Sequence, residues 1–439
     1  MSVSTSPNIS RSILTTAATT IISTAQKTAW SYTDCINYAR QNNISLQQSA
    51  ISEQVATENL LQSKAEWHPT LDFATSHSYS NYPWGEQSSK NTYSSNYGLN
   101  TSWTVWNGQQ RENTIKRDKI QTEISKLNTV DIFRTLETDL LQVYINILYA
   151  LESVNIYSET EKLSQAQAQR AKQLMEAGRL SRVDYTQLQS QYEQDHYNLV
   201  NARGTFYTRR MELKRLLQLG IDSTMEIVPV HWDKPEVMAE LPPMDESYSM
   251  AVDTDIRIQA LKLQKESATA DIDIAAAGNS PSVSLNAGIG TAYSTPGPAF
   301  GNQLKQRVSE SVGLTLSIPI FDNRRTKTAK SKAQLQKINA ELDIQSRLTE
   351  IAQNVESWYI DLRAAQSRYV AGIEQEKAAK LSHDLVNEQF SLGLVNTVEL
   401  MTAHNNLLQA RHSLLQAKYM AMLGHKMIQF YRTAQITLP

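Results

Sequence analysis

Few residues in this chain are spaced for chemistry. Its eight histidines, His68, His77, His196, His231, His383, His404, His412 and His425, are scattered, and no two have the three- or four-residue spacing of paired metal ligands on a helix. His404 and His412 are eight apart, about two turns of a helix, which suits solvated or inter-helix polar positions. Asp271 and Asp273 are two apart and do not face each other on a helix. Cys35 is the only cysteine, which excludes an intramolecular disulfide, a cysteine zinc site and an iron–sulfur cluster. It reads as a buried small hydrophobe. There is no P-loop, no G-x-G-x-x-G and no H-E-x-x-H, and Gly301 falls in a turn without phosphate-binding context. No nucleophile, base and orienting group assemble. The sequence therefore predicts no catalytic residue, no cofactor and no metal, and not an enzyme.

Composition narrows the class. Lys and Arg number 42 against 44 Asp and Glu, a net charge of -2 that gives no basic excess for a nucleic-acid partner. Hydrophobic residues are 41% of the chain and mean hydropathy is -0.43. No apolar run reaches the length of a membrane-spanning helix. A membrane β-barrel stays open, because its strands are short and only half apolar.

The elements repeat. Gly98-Leu99-Asn100-Thr101-Ser102 matches Gly313-Leu314-Thr315-Leu316-Ser317 at an offset of 215 residues. Ala177-Gly178-Arg179-Leu180-Ser181 matches Leu392-Gly393-Leu394-Val395-Asn396, again at 215. Ile44 to Pro69 matches Ile256 to Pro281 at 212. Three landmarks in one order mark a tandem duplication. The expected plan is a leader over 1–29, a first repeat over 30–220, a linker over 221–244, a second repeat over 245–432 and a tail over 433–439.

Each repeat reads helix, strand, strand, long helix, helix. One helix is expected over Tyr32–Glu66, with Asp34 as its candidate cap, and its counterpart over Glu246–Ala277. Strands are expected over 70–82, 93–105, 282–291 and 308–320, with turns at Tyr82-Pro83-Trp84-Gly85 and around Pro296-Gly297-Pro298. Tyr93, Tyr97, Leu99, Trp103 and Val105 alternate with Ser94, Asn96, Asn100, Ser102 and Thr104, giving one apolar and one polar face. Val312, Leu314, Leu316, Ile318 and Ile320 do the same, with Pro319 at the strand end, where a lost ladder bond matters least.

Long helices are expected over 109–177 and 324–392, returning over 182–217 and 397–432. The longer ones would reach roughly 100 Å at 1.5 Å per residue. In the second, Leu335, Ile338, Leu342, Leu348, Ile351, Val355, Trp358, Leu362 and Ala365 form a stripe that predicts a packed face. Gly178 and Gly393 suit left-handed helix ends, and Ser181 and Asn396 suit the N-caps that follow. Trp232 is the expected packing anchor of the linker. The start, with Arg11 and then a Ser/Thr/Ala/Ile stretch, predicts a signal peptide or a disordered leader. The basic run Arg324, Arg325, Lys327, Lys330 and Lys332 follows the last strand, as a solvated helix start or a positive patch at a membrane boundary or channel mouth.

On these residues the chain resembles the TolC-like outer membrane efflux protein family over nearly all of Trp30–Arg432. The resemblance rests on Trp30-Ser31-Tyr32-Thr33-Asp34-Cys35-Ile36-Asn37-Tyr38-Ala39, on Ile318-Pro319-Ile320-Phe321-Asp322, and on the two glycine tips. It implies a mostly helical fold with a share in a membrane β-barrel. Three copies would give a twelve-stranded barrel above a helical periplasmic tunnel. It implies a passive exit duct for small molecules or proteins, reached from an inner-membrane transporter of RND, ABC or MFS type through a periplasmic adaptor, with outer membrane lipid around it and no nucleic acid. Trp106, Asn107 and Gly108, and Pro319, Phe321 and Asp322, would be the strand-to-helix junctions. Gly178, Arg179, Leu180 and Ser181, with Gly393, Leu394, Val395 and Asn396, would be the tips that meet the adaptor. The family's aperture acids fall on Glu399, with Asp184 its equivalent in the first repeat, and on Thr402, which is not acidic. Its aperture arginine falls on Val395, so a charge ring here would be weaker or differently built.

Two other classes share the long hairpins. A periplasmic adaptor carries one hairpin between β-rich domains, without duplicated double strands. A structural coiled-coil protein lacks alternating strands. Residue types leave the cargo undefined.

Overall fold

The computed structural model describes residues 29–84, 91–230, 232 and 234–438. The expected leader, all but Ala29, lies outside them, as does Gly85 of the first turn. In chain order the elements are β1 (Ala29–Trp30), α1 (Tyr32–Asn42), α2 (Ile44–Ala65), β2 (Thr70–Asn81), β3 (Asn91–Trp106), α3 (Gln110–Glu176) and α4 (Arg182–Leu216). Then come β4 (Glu226–Ile227), α5 (Lys234–Val237), α6 (Met244–Thr254), α7 (Ile256–Ala276), β5 (Ser282–Ser294), α8 (Phe300–Gln306), β6 (Ser309–Ser317), α9 (Arg325–Ser391) and α10 (Thr397–Thr433). The chain divides into two compact units: 48–131 with 255–350, which holds the sheet, and the remainder, which is helical apart from one short strand pair.

The sheet has the order β2-β3-β5-β6, antiparallel throughout. The two repeats join in its middle, where Leu99 pairs with Ile289 and Trp103 with Leu285. Paired residues share a face, so Phe73, Leu99, Ile289, Leu285 and Leu314 form one apolar surface. Ser76, Asn96, Asn100, Asn286 and Ser311 lie on the other.

The strands differ from expectation at their ends. A bulge between Thr104 and Trp106 brings Trp106, not Val105, opposite Val283, so the alternation expected through Val105 stops at Trp103. β6 stops at Ser317, leaving Ile318, Pro319 and Ile320 outside the ladder, since Pro319 has no N–H to give it. β5 runs on to Ser294. Gly301 is not in a turn but in α8, whose Phe300 ring packs 5.1 Å from Tyr293.

The helices before the strands are each two, not one. Asn43 ends α1, and its Oδ1 accepts from the Ser45 and Leu46 N–H groups at 2.9 and 3.3 Å. Asp255, its equivalent at 212 residues, N-caps α7 by accepting from the Ile258 N–H at 2.7 Å. A side chain that caps the next helix ends the previous one. Asp34 is not the cap of α1: Ser31 is, with Asp34 closing the capping box.

In the helical unit, Leu140, Leu141, Tyr144, Leu148, Leu213 and Leu362 are buried. The segment expected as a linker is pinned there. β4 pairs parallel with β1, and Trp232 is buried 5.5 Å from the Tyr419 ring. The apolar stripe of α9 is packed only in part. Ile351, Val355, Leu362 and Ala365 are buried, but Leu335, Ile338 and Leu342 stand exposed.

Candidate functional site

The sheet carries the residues a lipid-spanning element needs. Its apolar face holds Leu71, Phe73, Leu99, Leu285, Ile289, Val312, Leu314 and Leu316, several of them exposed. Aromatic rings bound this band. Tyr79, Tyr93, Tyr97 and Tyr293 sit toward the β2–β3 and β5–β6 turns, and Trp103 and Trp106 sit at the ends that lead to helices. Trp103 lies ten residue steps beyond Tyr93. At about 3.4 Å per residue and about 40° tilt they span about 26 Å, close to the apolar height of an outer-membrane barrel. The opposite face is small and polar, and its Ser76, Asn96, Asn100 and Ser309 line a concave surface together with Arg307. The outer edges of β2 and β6 have no strand partner among the described residues.

The two strand-to-helix junctions are built alike. Asn107 Oδ1 accepts from the Arg111 N–H at 3.3 Å, and Asp322 Oδ2 accepts from the Thr326 N–H at 2.7 Å. In each, the next two residues are left-handed: Gly108 and Gln109 in one, Asn323 and Arg324 in the other. Gly108 is also required by space, because a Cβ there would come 2.3 Å from Ser280 Cβ. Pro319 and Phe321 precede the second junction, with Phe321 exposed. The basic run Arg324 to Lys332 is exposed at the start of α9.

Arg111 is the residue here that sequence reasoning missed. It is buried, its Nη1 donates to the carbonyls of Glu66 at 3.2 Å and Thr104 at 2.8 Å, and it stacks 3.5 Å from the Trp67 ring centroid. One guanidinium thus ties the end of α2 to the end of β3. The signal available was an arginine just after a strand, which alone reads as surface.

The tips repeat just as closely. At Gly178 (φ 71°) the N–H of Gly178 donates to Met175 O and that of Arg179 to Leu174 O. At Gly393 (φ 78°) the N–H groups of Gly393 and Leu394 donate to Phe390 O and Gln389 O. Both close a Schellman motif. Nothing lies within 4 Å of a Cβ at either glycine, so the backbone angle, not space, asks for glycine. Ser181 Oγ caps α4 by accepting from the Asp184 N–H at 3.0 Å, and Asn396 caps α10 by accepting from the Glu399 N–H at 3.0 Å.

The two hairpins meet through an apolar knot of Ala171, Leu188 and Leu400 with Leu180, Tyr185, Val386, Phe390 and Met401. Over it, buried Thr397 donates from its hydroxyl to Asp184 Oδ1 at 2.7 Å and lies 2.6 Å from the Gln187 amide. The Ser181 hydroxyl donates to Asp184 Oδ2 at 2.7 Å. These bonds, Ser181 first and Thr397 next, hold the Asp184 carboxyl below its ordinary pKa, so it is a carboxylate at neutral pH. Glu399 is exposed and accepts from Asn396 Nδ2 at 3.1 Å. Thr402 is exposed and its hydroxyl bonds back to Val398 O at 2.8 Å. Val183, Leu392, Leu394 and Val398 leave apolar surface exposed around both tips, while Val395 is half-buried.

The histidines are not all solvated. His404 Nε2 lies 2.9 Å from Asp195 Oδ2 with both residues buried, and His383 packs 6.0 Å from the His404 ring. His412 packs against Tyr157 with ring centroids 4.4 Å apart. Among the described residues no cluster of His, Cys, Asp or Glu is arranged to hold a metal ion, and no helix is long and apolar enough to cross a membrane.

A four-stranded sheet with an apolar and a polar face, joined to long helices, fits the class to which the comparisons assign this chain, an outer membrane channel for export that extends into the periplasm. The chain belongs to the outer membrane efflux protein family, whose model matches residues 35–218 and 248–422. Among relatives, it is 22% identical over 397 residues to outer membrane protein TolC of Escherichia coli (strain K12), covering 87% of this chain and 78% of that one. Among solved structures, it matches CusC with a TM-score of 0.78 at 17% identity, over 91% of both chains. It matches the outer membrane protein VceC of Vibrio cholerae with a TM-score of 0.76 at 14% identity, over 92% of this chain and 95% of that one.

Proposed function

We propose that three copies of this chain close one twelve-stranded barrel and form a passive exit duct, fed by an inner-membrane transporter of RND, ABC or MFS type through a periplasmic adaptor. The observation that carries the reading is the pair of edges, on β2 and β6, that have no strand partner among the described residues, next to exposed apolar rows. Open edges are not tolerated in lipid, so closure must come from other copies. The polar face then lines water and the apolar face meets lipid. Energy comes from the transporter, because the sequence has no nucleotide-binding motif.

In this reading the tips are the periplasmic end. The exposed Leu392, Leu394, Val183 and Val398 offer an apolar surface to the adaptor's helical hairpins. Three copies of Glu399 ring the aperture, where like charges concentrate cations. Asp184, held by Ser181 and Thr397, contributes less to that ring. The basic run at the start of α9 faces phosphate headgroups. The mass of the complex extracted from outer membranes in mild detergent tests the assembly. Three protomers are expected, and a single protomer would overturn the reading.

A further inference from the structure

The repeat is more than a likeness of sequence. Shifting β2 by 212 and β3 by 215 residues turns the first hairpin's register, Leu71 opposite Thr101, into the second's, Val283 opposite Leu316. The same offsets relate Asn43 to Asp255, Asn107 to Asp322 and Gly178 to Gly393, each pair with the same local geometry. One joint has no counterpart within the chain. β3 of the first repeat pairs with β5 of the second, but the outer edge of β6 has no strand partner among the described residues.

We infer that β6 of one copy pairs antiparallel with β2 of the next in the register that repeats the β3–β5 joint, with Leu314 opposite His77 of the next copy. Within the chain, Tyr97 pairs with Thr291, Leu99 with Ile289, Thr101 with Ala287 and Trp103 with Leu285. Carrying β3 forward by 215 and β5 back by 212 gives Val312 opposite Tyr79, Leu314 opposite His77, Leu316 opposite Thr75 and Ile318 opposite Phe73. The inference rests on the proposed closure by several copies and adds its register.

The faces agree without adjustment. His77 shares a face with Phe73 and Leu99, and Leu314 shares one with Leu285, which pairs with Trp103. The register therefore joins apolar face to apolar face and polar to polar. A one-residue slip would turn every side chain of one strand to the wrong side.

The helices give a second, independent sign that the next copy belongs at this edge. Ile120 in α3 is 7% exposed, whereas its equivalent Leu335 in α9 is 58% exposed, with Ile338 and Leu342 beside it. The apolar position that the first repeat buries at Ile120 is left bare on the second at Leu335. A second copy continuing the β6 edge would bring its own α2, with exposed Ile51 and Val55, to that position in the repeat.

The test is disulfide trapping in whole cells, in the full-length chain with Cys35→Ala. Leu314→Cys is combined in turn with Thr75→Cys, His77→Cys and Tyr79→Cys, and covalent multimers are read on non-reducing gels after mild oxidation. Directly opposed Cβ atoms lie about 4.5–5.5 Å apart and diagonal ones about 7–8 Å, while a disulfide needs about 4 Å. The Leu314→Cys/His77→Cys pair is expected to link at least severalfold more than either neighbour and to reach the covalent trimer. A maximum at Thr75→Cys or Tyr79→Cys would overturn the register and leave closure by several copies standing. No link in any pair from complexes of trimer mass would overturn the pairing of these two edges. No link together with a single-protomer mass would remove the closure as well.

Discussion

The hydroxyl of Thr397, at the first position of α10, donates to the carboxylate of Asp184 in α4 at 2.7 Å and fastens the two hairpins to each other at their tips. Removing it while keeping the shape, as Thr397→Val, leaves the Leu188 and Leu400 knot in place and takes away the polar latch. Outer membranes carrying T397V should leak a bulky antibiotic several-fold more than the parent, at equal protein level. An unchanged leak would mean that the apolar knot alone holds the tips.

Gly178 and Gly393 sit at φ 71° and 78° with open space around them. A β-branched residue there meets no neighbour but costs about 1–2 kcal/mol in left-handed geometry. Gly178→Val with Gly393→Val should block export while the trimer still reaches the membrane, as read by drug accumulation and by native mass. Normal efflux in the double variant would count against adaptor docking at these turns.

Acid should loosen the helical unit. Burial holds the imidazoles of His383, His412 and His425 below their ordinary 6.5. The unfolded chain therefore binds protons that the folded chain refuses, and stability falls as pH drops through 6.5 toward the lowered values. Around His383 lie His404 and Arg411, which oppose its charging, and Asp384, which favours it. Helical melting followed by circular dichroism should fall from pH 7.5 to 5.0, and fall less in His383→Gln with His412→Gln. A melting temperature flat across that range would contradict this.

Arg111 should govern assembly more than transport. Arg111→Met keeps the apolar stem over Trp67 but leaves the Glu66 and Thr104 carbonyls without their donor, at about 1.5–3 kcal/mol per charged bond. Trimer yield in the outer membrane should drop, and Arg111→Lys should restore it only in part, because an ammonium lacks the planar fork. Full yield in Arg111→Met would show the junction to be held by its backbone caps alone.

The plan of this fold was legible because it is written in local periods. Alternation of two marks the strands, spacings of three and four mark the long helices, and the repetition of both marks the duplication. Asn43 and Asp255 break their helices because an Asx side chain can cap the helix that follows, a choice that the apolar pattern around them does not register. The bulge at Thr104/Trp106 and the early end of β6 depend on which strand lies alongside. Contacts across long separations, Thr397 to Asp184 and His404 to Asp195, leave no mark in the spacing of either partner. Leu335, Ile338 and Leu342 carry the period of a packed face yet stand exposed in the single chain. The period records an apolar face, and it does not say which surface, in the same chain or in another copy, lies against it.

The most direct measurement is single-channel recording of the purified protein in planar bilayers at low salt, with wild type beside Glu399→Gln. Three chains closed around a polar lumen, with Glu399 at its narrow end, should give discrete, cation-selective conductance steps. Divalent cations should block these in the wild type and block them less in the variant, since low salt leaves the charges unscreened. Absence of any conducting steps from protein of trimer mass would contradict the account of this chain as a closed export duct.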